Sequence, residues 1–332
     1  MEFGIFAPPF AGGDYDVRIL NRPFYKEVDW NAEKNAVLEA EKAGFRSYWV
    51  CDHLSVGDGG SVLENWSTVT TYLNITRNLR VGPLALCNSY RYPSIVAKMA
   101  ATLDVISGGR LNLAMGAGWL VSEYDQYGVP FPSGKVRVDQ LRESIMLIKK
   151  LWREQKVTFE GKYYHVKDAV CAPKPIQKPH PPIFIGGGTD SLIRLAAEMA
   201  DGYNWFFSPE NYREKLRKLE KVCSKIGRDH REIKKSWLGH ICISKDRDQA
   251  EETYNRWFGT IKSAKTRLDP WTRDSTNEQF RANVVVGTPT DCIEKLKRYR
   301  DIGVDLVMCT FIDHPSTEGL RLFGSDVIPY FK

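Results

Sequence analysis

The chain is expected to fold as one (β/α)8 TIM barrel with insertions. Short apolar runs alternate with longer helical patterns along all 332 residues. Runs such as Ile183-Phe184-Ile185 are apolar on both faces, as a parallel sheet covered by helices requires. Eight such units favour a closed barrel over an open doubly wound sheet. At about 150 residues per domain the length would allow two domains, but barrels of this size are often one. Residues 1–332 therefore read as a single domain.

The elements follow in order. Residues 2–7 form a first strand, and 31–43 a helix with Ala36, Ala40 and Ala43 on one face. Strand two, 47–50, stops at Cys51-Asp52-His53, and 66–76 is helical. Strand three covers 79–86, a helix 95–105, and strand four 111–115. Leu141, Ile145, Ile148 and Trp152 form a helical stripe within 138–152. Strand five, 182–185, runs into three glycines, and a helix follows at 191–199. Strand six is 202–206, the next helix 209–226, and strand seven 236–244. Thr288 can cap a helix with Pro289 at its first position and Asp291 at N3. Gly303 ends that helix, strand eight is 305–310, and 318–331 closes the ring. Three excursions interrupt the pattern: 10–29 is Gly-rich and polar, 157–172 reads as a hairpin turning at Glu160-Gly161, and 257–284 is polar. Insertions of that length are usually lids or interface elements.

Composition narrows the class. Hydrophobic residues are 42%, charged 27% and aromatic 12%, which excludes wholesale disorder. The net charge of +6 is spread without a basic arm, so small anionic ligands are weakly favoured and nucleic acid is not expected. Seven scattered cysteines without a CxxC pair read as reduced thiols in a cytoplasmic protein. Met1-Glu2-Phe3 has no basic n-region and reads as strand, not signal peptide. No apolar stretch approaches the roughly 18 residues of a membrane helix. HxxxH and HExxH are absent, so no metal is expected, and no GxSxG elbow supports a serine hydrolase.

Active sites of such barrels lie at the C-terminal strand ends. Strand two ends in Asp52-His53, which could hydrogen-bond a ring system or shuttle a proton; a packed, paired His is the plainer alternative. Strand four ends Gly116-Ala117-Gly118-Trp119, either a close approach for a flat ligand or a plain turn, with Glu123 four residues later. Strand five ends Gly186-Gly187-Gly188 before a helix N-terminus, which favours a phosphate site over a turn that merely tolerates glycine. Strand six ends Asn204-Trp205, and Asn204 is grouped with the cofactor-facing residues.

Gly108-Gly109-Arg110-Leu111, Gly116-Ala117-Gly118-Trp119, Glu123, Tyr127-Gly128, Pro173-Lys174-Pro175, Pro181 through Gly187, Ala200-Asp201-Gly202 and Val286-Gly287-Thr288-Pro289 together resemble the luciferase-like family of flavin and deazaflavin oxidoreductases. The Trp49-Val50-Cys51-Asp52-His53 stretch is most similar to the branch that uses coenzyme F420. The resemblance implies that Asp52 and His53 face the ring and the substrate. It implies a cis peptide at Leu84-Ala85 against the ring, and a phosphate at Gly186 to Gly188. Trp119 stands where the sugar-phosphate-oxidising branch carries Glu, which speaks against that substrate. A homodimer is a family-level expectation.

The favoured reading is thus an F420-dependent oxidoreductase acting on a small organic substrate. His53 exchanges the proton, Asp52 orients His53 or the ring, and Leu84, Ala85 and Gly116 to Gly118 hold the ring. The alternative is an FMN-dependent monooxygenase supplied by a separate reductase. A non-catalytic flavin-binding protein on the same barrel is third.

Overall fold

A computed structural model describes residues 1–7, 10–11, 27–55, 61–263 and 276–332. Strand β1 (Glu2–Phe6) leads to the short β2 (Phe10–Ala11). Strand β3 (Ser47–Val50) is followed by β4 (Ser61–Val62), which pairs antiparallel with β2. Strand β5 (Arg80–Pro83) breaks at Leu84–Ala85, whose peptide is cis as the resemblance implied, and resumes as β6 (Leu86–Cys87). After β7 (Leu113–Gly116) comes an antiparallel hairpin of β8 (Val157–Glu160) and β9 (His165–Ala169), closed by the Gly161 amide on the Tyr164 carbonyl. The remaining strands are β10 (Ile183–Gly186), β11 (Gly202–Trp205), β12 (Lys234–Ile243), β13 (Val284–Gly287) and β14 (Leu306–Phe311).

The large sheet runs β5-β3-β1-β14-β12-β11-β10-β7-β6. Since β5 and β6 are one broken strand, the two ends of that order meet and the sheet closes into a barrel. A parallel bridge from Val81 to Leu111 ties β5 to the run preceding β7. Gly82 makes this closure possible, because a Cβ there would lie 2.1 Å from the Asn112 carbonyl oxygen. Gly82→Ala is expected to destabilise the fold by about 1–3 kcal/mol through overpacking against backbone that cannot yield. A urea midpoint indistinguishable from wild type would show that the seam relaxes freely.

Side-chain alternation divides the core. Trp49 points into the barrel and meets Phe184 from the opposite wall edge-on at 5.2 Å, while its neighbours Tyr48 and Val50 pack outward under the helices. Both faces of β3 are buried, as a helix-covered parallel sheet demands. Helix starts follow local capping. Asp29 accepts from the amides of Asn31 and Ala32, and Thr288 and Asp291 form the reciprocal box expected from their spacing.

The strand count differs from expectation, and the described parts of the 257–284 excursion carry regular structure. Residues 257–263 finish the helix Arg247–Ser263, a short helix spans Asn277–Arg281, and the buried β13 adds a ninth parallel strand to the expected eight. Polar residues on the two helices hid them. Strand β13 pairs with residues 240–243 of β12, beyond the stretch 234–237 that pairs with β11. Most of the 10–29 excursion, and part of 257–284, lies outside the described residues. No described helix is long and apolar enough to cross a membrane.

Candidate functional site

The C-terminal ends of β3, β6, β7, β10 and β11 surround one cavity of about 400 Å³. The projecting part of β12 and the start of β13 supply its far wall. All eleven residues singled out in the sequence line it: Asp52, His53, Leu84, Ala85, Gly116, Ala117, Gly118, Gly186, Gly187, Gly188 and Asn204. The volume is that of an ordinary small-ligand site.

Strand β3 is held at its end by Asn65, whose Nδ2 donates to the carbonyls of Val50 and Cys51 at 2.9 Å each. Asp52 is 4% exposed. Its Oδ2 accepts from the Cys87 amide at 2.7 Å and from Arg91 Nη1 at 2.8 Å, and its Oδ1 accepts from Arg91 Nη2 at 3.1 Å. Burial lifts the Asp52 carboxyl above its ordinary range, and the guanidinium pulls it back part of the way. Arg91 also reaches Glu64, the N-cap of the helix Asn65–Ile75. Asp52 thus clamps β3 to the β6 end.

This corrects the role expected of Asp52 toward His53. The carboxylate on His53 is Glu123, with Oε2 at 2.9 Å from Nδ1. Glu123 is 1% exposed and sits on the short helix Val121–Gln126, which no apolar periodicity signals. Its Oε1 accepts the amides of Leu54 at 2.6 Å and Ser55 at 3.1 Å, and its Oε2 accepts the Tyr90 hydroxyl at 3.0 Å. Burial alone would raise this carboxyl; the bonds from His53 and the two amides outweigh it and hold Glu123 below the usual Glu range. Burial pushes the Tyr90 phenol far up, so it stays a hydrogen-bond donor. With Nδ1–H donating to Glu123, the tautomer leaves His53 Nε2 as the acceptor. The sequence signals for Glu123 were its place four residues beyond Trp119 and its part in the family resemblance; Tyr90 and Arg91 carried none.

The turn after β7 depends on glycine. Gly118 has φ +74°, and a Cβ there would lie 1.9 Å from the Tyr124 hydroxyl. Trp119 then emerges 45% exposed, its ring edge-on to His53 at 5.9 Å. At the other rim, Gly187 has φ +130°. A Cβ on Gly188 would strike the Trp205 indole at 2.5 Å, whereas one on Gly186 would meet nothing nearer than the Asn204 carbonyl at 3.8 Å. Thr189 caps the helix Asp190–Met199 directly beyond, accepting from the Leu192 amide. Trp205 Nε1 is buried without a hydrogen-bond partner. Asn204 is anchored by Nδ2 on Ser236 Oγ at 3.0 Å. Phe207 adopts φ 120°, and its carbonyl accepts from Trp237 Nε1 at 2.8 Å and Tyr299 OH at 2.9 Å. Those two bonds hold the unfavourable turn that follows Trp205 and Phe206.

All seven cysteines are buried and unpaired. Among the described residues, no three of His, Cys, Asp and Glu converge as a metal site.

The family model described as luciferase-like monooxygenase matches residues 1–306. The F420-dependent glucose-6-phosphate dehydrogenase of Microbacterium testaceum is 30% identical over 308 residues, spanning 88% of this chain and 91% of that protein. The FMNH2-dependent dimethylsulfone monooxygenase of Pseudomonas putida is 26% identical over 360 residues, spanning 100% of this chain and 95% of its own. A solved F420-dependent secondary alcohol dehydrogenase, in complex with an F420-acetone adduct, has TM-score 0.80 and 24% identity, with 100% of this chain and 99% of that one covered; it shares the fold.

Proposed function

We propose, because this chain belongs to the luciferase-like monooxygenase family, that it is a coenzyme F420-dependent oxidoreductase acting on a small organic substrate. It is an enzyme of a family whose relatives include F420-dependent dehydrogenases and FMNH2-dependent monooxygenases, so a flavin or deazaflavin is its coenzyme. The single observation that carries the F420 reading is the His53–Glu123 pair at the cavity mouth. It is a general acid–base group set beside a cavity lined by Leu84 and Ala85, where a coenzyme ring could lie.

The residues fit a flat, phosphate-tailed ring. Gly116 and Gly186 present backbone to the cavity, and Leu84, Ala85 and Ala117 supply apolar surface for the faces of a ring. The turn Gly186 to Gly188, the helix N-terminus after Thr189 and the unpartnered Trp205 Nε1 are donors suited to a phosphate tail. When bound, such a coenzyme supplies hydride transfer, the difficult part of the chemistry. The protein orients and moves a proton. His53 Nε2 takes a proton from a substrate hydroxyl, or returns one to a carbonyl oxygen. Glu123 holds the imidazole and balances its charge when it is protonated. Asp52 and Arg91 fix the strand end that carries His53.

A second reading, an FMN-dependent monooxygenase with a separate reductase, is supported by the full-length match to the dimethylsulfone monooxygenase. Titrating apo-protein with each coenzyme separates the two. F420 is expected to bind at least about tenfold more tightly than FMN, a difference of about 1.4 kcal/mol. Sub-micromolar FMN binding without F420 binding reverses the assignment.

A further inference from the structure

We infer that the substrate half of this cavity takes an uncharged, mainly apolar alcohol or carbonyl compound, and not a phosphate ester or other dianion. The inference deepens the coenzyme-dependent reading and rests on it.

The wall away from the glycine turn is apolar and comes from unconnected elements. Phe6 ends β1, Leu238 lies on β12, Val284 begins β13 and Phe280 lies in the small helix before it. Phe280 is fixed from behind by Trp257 at 5.7 Å and Phe258 at 5.3 Å, so this wall is packed. Trp119 faces it from the β7 side, half-exposed and edge-on to His53. A substrate oxygen beside His53 therefore leaves the rest of the molecule against rings and branched aliphatic side chains.

Charge points the same way. Among the described residues lining the cavity there is no Lys or Arg. The nearby cation, Arg91, is taken up by Asp52 and Glu64. Two carboxylates stand at the same end, and Glu123 is already filled by His53, Tyr90 and two amides. A dianion would shed its hydration next to Glu123 with no Lys or Arg among these residues, and only the imidazoles of His53 and His240 to meet its charge, a poorly compensated desolvation. Asn283 also lines the cavity, and its Oδ1 is buried without a hydrogen-bond partner. An acceptor oxygen welcomes a hydroxyl and repels an anion.

The test is calorimetric binding to the coenzyme-loaded protein, so it does not depend on turnover. The ligands are the series acetone, 2-butanone, 2-pentanone and 2-hexanone, with glucose 6-phosphate as the dianion. Kd is expected to fall about fourfold per methylene, the equivalent of about 0.8 kcal/mol per buried CH2. Glucose 6-phosphate should bind at least about a hundredfold more weakly than 2-hexanone, about 2.7 kcal/mol. Trp119→Ala should weaken 2-hexanone about tenfold and leave coenzyme affinity unchanged, with Trp119→Phe restoring most of the loss. Tighter binding of glucose 6-phosphate than of 2-hexanone, a Kd independent of chain length, or no ketone binding at all overturns the inference. The series is run with F420 and with FMN as the loaded coenzyme. Failure of F420 to bind then counts against the proposed function alone, while the FMN-loaded series still reads the substrate class.

Discussion

His53→Ala is expected to lower kcat by a factor on the order of 10² to 10⁴, the range that a positioned general acid or base contributes. Coenzyme affinity should stay within a few-fold, since the apolar ring surface and the glycine turn remain. Stopped-flow absorbance of the bound coenzyme measures the first quantity and fluorescence titration the second. A kcat within about threefold of wild type would remove His53 from proton transfer, because that is less than one pKa unit's worth of transition-state energy. Glu123→Gln distinguishes direct from indirect action. Glutamine keeps the shape, but its single carboxamide oxygen serves either the Leu54 and Ser55 amides or His53 Nδ1, and it cannot offset the charge of a protonated imidazole. A smaller loss, about tenfold, is expected from weakening one charge-assisted hydrogen bond. The pH profile gives the signature of positioning. In the native protein Glu123 titrates below the ordinary Glu range, so its support is complete above the unfolded value of 4.5 and is lost as pH falls through the folded one. The Gln variant lacks that acid limb.

Arg91→Met should be the most destabilising single change near the site. Asp52 is fully enclosed and Arg91 supplies two of its three hydrogen bonds. Removing one partner of a buried pair costs about 3–5 kcal/mol, because the remaining charge is stranded. The loss should be read as a shift of the urea midpoint at constant slope. Its pH dependence tests the cause. In the variant burial is opposed only by the Cys87 amide and the nearby His53, so the folded pKa of Asp52 rises further above 3.8. A group with a raised folded pKa contributes stability that is present below the unfolded value and lost as pH rises through the folded one. The deficit of the variant should therefore shrink on going from pH 7 to pH 4.5. A deficit that is the same at both values would mean that lost packing, and not a stranded carboxylate, is responsible. Arg91→Lys keeps the charge but loses the paired geometry and should fall between.

The barrel was legible along the chain, and so were the residues that line the cavity at its strand ends. Strands apolar on both faces, helices with one buried stripe and a capping sequence at Thr288 are local patterns, and each appears close to where it was expected. The triple glycine was read as a close backbone approach to a phosphate; the structure gives Gly188 a steric reason of its own, since a Cβ there would lie 2.5 Å from the Trp205 indole. Less legible were elements whose outer faces are polar. The excursion read over 257–284 took in the end of the helix Arg247–Ser263 and the first residue of β13, because that strand is short and adjoins a polar stretch.

Sequence order by itself determined which residues stand at strand ends, since a strand's length and direction are set by neighbouring side chains and turns. It could not determine which of those residues bond to one another. Asp52 and His53 are adjacent in the chain, yet they pair with Arg91, 39 residues away, and with Glu123, 70 residues away. Successive side chains at the end of an extended strand point in different directions, and only closure of the ring decides what each one meets. The choice of Glu123 over Asp52 as the partner of His53 is accordingly a property of the closed barrel.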